Sequence, residues 1–254
     1  MSVRDFYDGL APDYHLVYED WAASSHLQAA ALDRIIREHR PTATEVLDCS
    51  CGIGTQALGL ARLGYRVVGT DISERSLERA RNEAASQGVD ATFAACDFRD
   101  LSPIPGSFDV VISCDNAIPH LLTDEDLMRA FRAMRSKLRP EGLLVISVRD
   151  YDKALGERPA TAPPIISPGP PRQILLRLHD WDAPNSPMYT VHLLVLTEGR
   201  QGWLVVDHST RYRALKRGAI TEAAHDAGFT QVNWYTSDQV GYYQPVMSAL
   251  NGPT

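Results

Sequence analysis

The chain has 254 residues, 44% of them hydrophobic and 22% charged, enough for one α/β domain with an elaboration and a sizeable core. Its net charge of -7 argues against a partner gripped through nucleic-acid phosphates. No apolar run has transmembrane length, and the start Met1-Ser2-Val3-Arg4-Asp5 turns acidic too soon for a signal peptide. The expectation is therefore a cytoplasmic protein without a membrane partner.

Residues 1–24 are rich in aromatics (Phe6, Tyr7, Tyr14, Tyr18, Trp21) among Gly, Pro and Asp, and are expected to be irregular. Leu27, Ala31, Leu32, Ile35 and Ile36 predict an amphipathic helix over 25–39, capped by Ser24 or Ser25 and followed by Pro41. Strands are predicted over 45–49, 66–70, 91–95, 108–113 and 143–148. Between them lie helices over 55–63, stopped by Gly64, over 74–85, capped by Ser73, and over 124–138, capped by Thr123. This alternation implies a mostly parallel, seven-stranded sheet with helices on both faces, and ligand sites at the carboxyl ends of the strands. Asp48, Asp71, Asp97, Asp115 and Arg149 all fall at those ends.

The proline-dense stretch 160–171 can continue neither a helix nor a central strand. Alternating segments over 174–180, 189–197 and 203–212 predict antiparallel strands, and a helix over 218–228 and strands over 230–235 and 244–250 complete the sheet. The expected organisation is an N-terminal aromatic segment or lid (1–24), a Rossmann-like core (25–150), an insertion (151–215) and a C-terminal completion of the core (216–254). The insertion is either a cap over the pocket or a homo-oligomer interface; both readings stand.

The stretch Val46-Leu47-Asp48-Cys49-Ser50-Cys51-Gly52-Ile53-Gly54-Thr55, with Val67-Val68-Gly69-Thr70-Asp71 after it, carries the most chemistry. It reads as a strand, a glycine turn into a helix, and a second strand ending in an acid. The D-x-x-x-G-x-G turn resembles the first motif of class I, Rossmann-like methyltransferases that use S-adenosylmethionine (SAM). Gly52 and Gly54 admit backbone close to a ligand, and the helix start offers N–H groups to its carboxylate. Asp71 is placed to accept hydrogen bonds from ribose hydroxyls.

Two further segments resemble the glycine and sarcosine N-methyltransferases within that class. Cys114-Asp115-Asn116-Ala117-Ile118-Pro119-His120-Leu121 is similar to their N-S-F-A-H-L loop, and Val148-Arg149-Asp150-Tyr151-Asp152 is similar to their H-R-N-Y-D strand end. The resemblance implies a cofactor site of Asp48, Cys49, Ser50, Cys51, Gly52, Gly54, Asp71, Ile72, Asp97, Phe98, Cys114 and His120, with Tyr7, Tyr14 and Trp21 folded across it. For Tyr7 and Trp21, an aromatic cluster pinning the terminus to the core is an equal alternative. An arginine that the animal enzymes use for the SAM carboxylate falls near Ser24, so another group such as Gln28 must replace it. Asn116, Arg149, Tyr151 and Tyr212 are the expected substrate contacts, with Tyr14, Asn116 and Arg149 aligning the reactants. For Arg149 the rival is a surface ion pair with Asp150 or Asp152.

These resemblances imply methyl transfer from SAM, leaving S-adenosylhomocysteine (SAH), to a small-molecule acceptor that is a nitrogen of a glycine- or sarcosine-like amine. Acceptors such as a nitrogen heterocycle or a natural-product intermediate, and a non-catalytic SAM-binding regulator, are the alternatives. The sulfonium arrives activated, so no strong catalytic base is required; His15, His208 and Tyr212 are the weak candidates for proton handling. Cys49, Cys51, Cys96 and Cys114 lack metal-ligand spacing and are expected to be reduced and packed around the cofactor, with no metal.

Overall fold

A computed structural model describes residues 2–252. Its main sheet has seven strands: β1 Glu45–Asp48, β2 Arg66–Asp71, β3 Thr92–Ala95, β4 Phe108–Ser113, β5 Leu138–Ser147, β10 Phe229–Tyr235 and β11 Val246–Asn251. They stand in the order β10-β11-β5-β4-β1-β2-β3, with β11 antiparallel to both neighbours and the other pairs parallel. Alternate residues of the central strands enter opposite layers, as a sheet covered on both faces requires. Leu47, Val111, Leu144 and Ile146 face one apolar cluster, and Val46, Val110, Ile112, Leu143 and Val145 the other.

The helices that cover the sheet start where the sequence provides caps. Gly54 takes φ +92 before α3 (Thr55–Arg62), Ser73 caps α4 (Glu74–Gln87), and Thr123 caps α5 (Asp124–Ser136). Helix α7 (Arg217–Asp226) precedes β10. The fold is the Rossmann-like α/β arrangement expected of class I methyltransferases.

The N-terminal expectation needs correction. Residues Val3–Leu10 form a helix, α1, because Ser2 and Asp5 close a reciprocal capping box. A short 3-10 turn, Tyr14–Val17, follows, and α2 runs Trp21–His39 with Asp20 as its cap, starting before Ser24 and Ser25. Helix α6 (Tyr151–Glu157), capped by Asp150, and the single turn α8 (Ser237–Val240) were not expected. Strand β5 begins at Leu138, upstream of the expected start at 143.

Between α6 and α7 the chain builds a second, antiparallel sheet in the order β6-β7-β8-β9: β6 Thr161–Ser167, β7 Gln173–Trp181, β8 Met188–Gly199 and β9 Gly202–Arg213. The prolines of 163–164 sit in β6, an edge strand, where a missing N–H is tolerated. One face of this sheet joins the core through Leu175, Val191, Leu193 and Val195. On the outer edge, Trp203, Leu204, Val205 and Val206 of β9 are exposed.

Candidate functional site

Two cavities meet at the carboxyl ends of the strands and share Tyr7, Tyr14 and Asp115 in their walls. The smaller, about 90 Å³, is lined by Cys49 and Ser50 after β1, Asp71 and Ile72 after β2, Cys96–Arg99 after β3, and Cys114, Ala117 and His120 after β4. The larger, about 510 Å³, lies between the main sheet and the second sheet. Its walls include Asn116, Arg149, Arg177, His179, Tyr189, Tyr212 and Gln28.

The glycine turn lies behind Cys49 and Ser50, which line the small cavity; Gly52 itself is not in its wall. Gly52 takes φ +52, and a Cβ there would meet the Tyr14 ring at 3.0 Å, so only glycine lets the aromatic lie against the backbone. The Gly52 N–H donates to Asp71 Oδ2 at 2.8 Å, and Ser73 N–H donates to Oδ1 at 2.9 Å. Each carboxylate oxygen keeps a lone pair toward the cavity. Burial raises the Asp71 pKa despite those bonds. Asp48, Cys51 and Gly54 do not line the cavity; they shape the turn from behind. Asp48 is buried, its carboxyl pushed up to about 8 by desolvation, with Oδ2 lacking a partner.

Asp97 and Phe98 reach the cavity together, but Arg99, which sequence reasoning passed over, clamps the Asp97 carboxylate with Nη2 at 2.6 Å. Burial pushes the Asp97 pKa up, and the Arg99 hydrogen bonds outweigh it, holding the carboxyl below its ordinary value. All four cysteines are buried, and Cys49, Cys96 and Cys114 border the small cavity.

The aromatic N-terminus lies over the junction. Tyr7 Oη and His120 Nε2 are 2.8 Å apart, and the His120 ring lies 4.4 Å from that of Tyr212. Burial pushes the His120 pKa down to about 3, so the ring is neutral, and its Nδ1 is buried with no partner. Trp21 is separate: its Nε1 donates to Thr55 Oγ1 at 2.9 Å, pinning α2 to α3, and it lines neither cavity. His15 sits against Arg79, and His208 packs against Gly9, both outside the cavity walls.

The turn after β4 is unusual. Asp115 and Asn116 take φ of +56 and +68, two successive left-handed residues that are not glycine. Ser147 at the end of β5 ties the turn down, its hydroxyl accepting from Asp115 N–H at 2.8 Å and its carbonyl from Asn116 N–H at 3.2 Å. Three phenols donate to the Asp115 carboxylate: Tyr18 at 2.5 Å, Tyr242 at 2.7 Å and Tyr243 at 2.9 Å. Asn116 accepts from Arg149 N–H at 3.0 Å and donates to Tyr151 Oη at 3.0 Å. Tyr151 itself is buried behind Asn116, bonded to Tyr189, and lines neither cavity.

Arg149 does not pair with Asp150 or Asp152; the latter bonds Arg217. Its Nη1 instead lies 3.2 Å from His179 Nε2, while His179 Nδ1 lies 3.0 Å from the Pro159 carbonyl. A carbonyl only accepts, so Nδ1 carries the proton and Nε2 accepts from Arg149. Burial first, and Arg149 next, push the His179 pKa down to about 4, which keeps this acceptor in place at neutral pH. His179, Arg177 and Tyr189 were not expected, because nothing in their local sequence marks them.

Gln28, the residue expected to stand in for the missing arginine, lies in the wall of the large cavity. Its Oε1 accepts from Gln56 Nε2 and lies 2.8 Å from Tyr242 Oη, whose one proton goes to Asp115, and its Nε2 is buried there without a partner. A buried donor left over at a cavity wall suits a ligand acceptor.

Residues 46–142 match the family described as "Methyltransferase domain". The chain is 29% identical over 152 residues to the putative methyltransferase YqeM of Bacillus subtilis, covering 58% of this chain and 57% of that one. It is 31% identical over 137 residues to the glycine/sarcosine N-methyltransferase of Parasynechococcus marenigrum, covering 54% and 48%. The chain thus spans about half the length of the curated relatives it matches. Among solved structures, DesVI of Streptomyces venezuelae superposes with a TM-score of 0.76 at 21% identity over 100% of this chain and 99% of that one. Residues 46–142 are thus similar to a methyltransferase domain, and the superposition shows that the chain shares the Rossmann-like fold of DesVI.

Proposed function

We propose that the protein is a SAM-dependent methyltransferase acting on a small molecule, with an amine nitrogen as acceptor. The observation that carries this is the small cavity: Cys49 and Ser50 leading into the glycine turn, the Asp71 carboxylate, and Asp97-Phe98 converge there from the ends of three neighbouring strands. In this reading Asp71 holds ribose hydroxyls, Ile72 and Phe98 flank the adenine, and Gln28 with the α3 start takes the amino-acid end. The neutral imidazole of His120 offers its free nitrogen to the ligand. The cofactor's sulfonium supplies an activated methyl group; the chain's own work is alignment and exclusion of water.

The large cavity beside it is the acceptor site. Arg149, fixed by His179 and by Asn116, presents a guanidinium suited to a carboxylate, in keeping with a glycine- or sarcosine-like acceptor. Gln28 stands in the wall of this cavity, so the cofactor's amino-acid end takes part of its volume of about 510 Å³; acceptors bulkier than glycine, such as natural-product amines, are the second reading.

Calorimetry with SAM and SAH, followed by transfer of labelled methyl to an amine panel, tests the proposal. Expected are binding of both and label incorporation; a well-folded protein that gives no heat with either compound overturns it.

A further inference from the structure

The large cavity contains charges that do not neutralise one another. Asp115 faces it with its carboxylate gripped by three phenols, which supply hydrogen bonds but no countercharge. Arg149 and Arg177 face the same space, and among the described residues neither forms an ion pair. Arg177 occupies the inward face of β7 two residues after Leu175 and two before His179, on a surface that is otherwise mainly apolar. Its guanidinium makes no hydrogen bond to a described residue. Two half-buried guanidinia held near one histidine and left without an acid raise the energy of the empty site, and a ligand anion lowers it.

The position of Asp115 is equally pointed. It stands in the wall common to both cavities, so it borders the place where an acceptor nitrogen must meet the methyl group. Methyl transfer forms the N–C bond, breaks the S–C bond, and moves positive charge from sulfur to nitrogen. A fixed carboxylate beside that nitrogen stabilises the charge where it develops. The strained left-handed turn and its collar of tyrosines hold the group there before any ligand arrives.

We propose that Asp115 is the amine subsite of the acceptor cavity and that Arg177, with Arg149, takes the acceptor's anionic group, so that the acceptor is an amine carrying a carboxylate or phosphoryl group. This rests on the methyltransferase reading above. It assigns specificity to a residue of the second sheet and to an acid where the similar loop of the resembled family is N-S-F-A-H-L.

The test is a binding panel on the full chain loaded with SAH: 2-aminoethyl phosphate, β-alanine, ethanolamine and 2-hydroxyethyl phosphate, followed by titration calorimetry or NMR. At least one of the first two is expected to bind tenfold or more tightly than ethanolamine, and which of them wins tells phosphoryl from carboxylate. Asp115→Asn should lose about tenfold on that amine probe and nothing on 2-hydroxyethyl phosphate. Arg177→Gln should lose about tenfold on the anionic probes and nothing on ethanolamine. Should D115N not fold, Asp115→Gly, which suits the positive φ, carries the same expectation. Ethanolamine binding as well as the anionic amines, or either variant leaving its probes unchanged, overturns the inference. So does D115N weakening SAH while the amine probes bind as before. A wild-type chain that fails to bind SAH refutes instead the methyltransferase reading.

Discussion

The two sheets divide the site between them in different ways. The parallel sheet shapes the small cavity mainly through backbone: a glycine turn, helix starts, and acids placed by strand ends. The antiparallel sheet shapes the large cavity through side chains alone, with Arg177, His179, Tyr189 and Tyr212 projecting from alternate positions of regular strands. A backbone-built site is tied to its chain path and changes little with substitution around it. A wall of strand side chains is re-specified by single replacements. On the proposed reading, cofactor binding falls to the first region and acceptor choice mainly to the second.

The strongest challenge to that division is Asp71→Ala. It deletes the acceptor of two buried N–H groups and the expected ribose contact, so SAM affinity should fall about 100-fold by calorimetry. An unchanged affinity would place the cofactor elsewhere. From the other sheet, His179→Ala frees Arg149 and should raise the KM of an anionic acceptor about tenfold, with the SAM dissociation constant unmoved; a matching loss in SAM binding would dissolve the distinction.

Asp48 sharpens the comparison through pH. Its folded pKa of about 8 lies above the ordinary 3.8, so between those values the folded state binds more protons than the unfolded one. Stability contributed by the protonated carboxyl is complete below about 4 and declines as pH rises toward 8. Asp48→Asn removes the dependence, so its stability should gain on that of the wild type by on the order of 2 kcal/mol between pH 5 and pH 8.5, read from the difference in thermal midpoints. Parallel curves would show that the group is not desolvated. The smallest effect expected is Trp21→Phe, which removes one hydrogen bond to Thr55: about 1 kcal/mol of stability by denaturant titration, with SAM binding retained. A large loss of SAM binding would restore Trp21 to the cofactor site.

Much of the first region is legible in the sequence because each element carries its own local signal: Ser73 and Thr123 as caps, Gly52 and Gly54 in the turn, short apolar runs in the central strands. Helix α1 escaped because aromatics, Gly and Pro masked a Ser2-to-Asp5 capping box that was there to be found. The edge strand β6 escaped because its prolines are acceptable only where no neighbour needs their N–H. Arg177 and His179 carry no local mark. Their meaning comes from β7 pairing with β8 so that His179 reaches Arg149, 30 positions upstream, and Arg177 faces the same cavity, and only the assembled sheet shows it. Asp115 lies between these cases: its place at a strand end could be read, but its three tyrosine donors come from segments 97, 127 and 128 positions away.

The paired left-handed residues Asp115 and Asn116 set a direction for evolution in the test tube. Each stores on the order of 1 kcal/mol of backbone strain that glycine would release. Glycine at either codon would also strip hydrogen-bond partners from Tyr18, Tyr242 and Tyr243 or from Tyr151 and the Arg149 N–H, a larger loss than the strain released, so libraries selected for heat tolerance alone should keep both side chains.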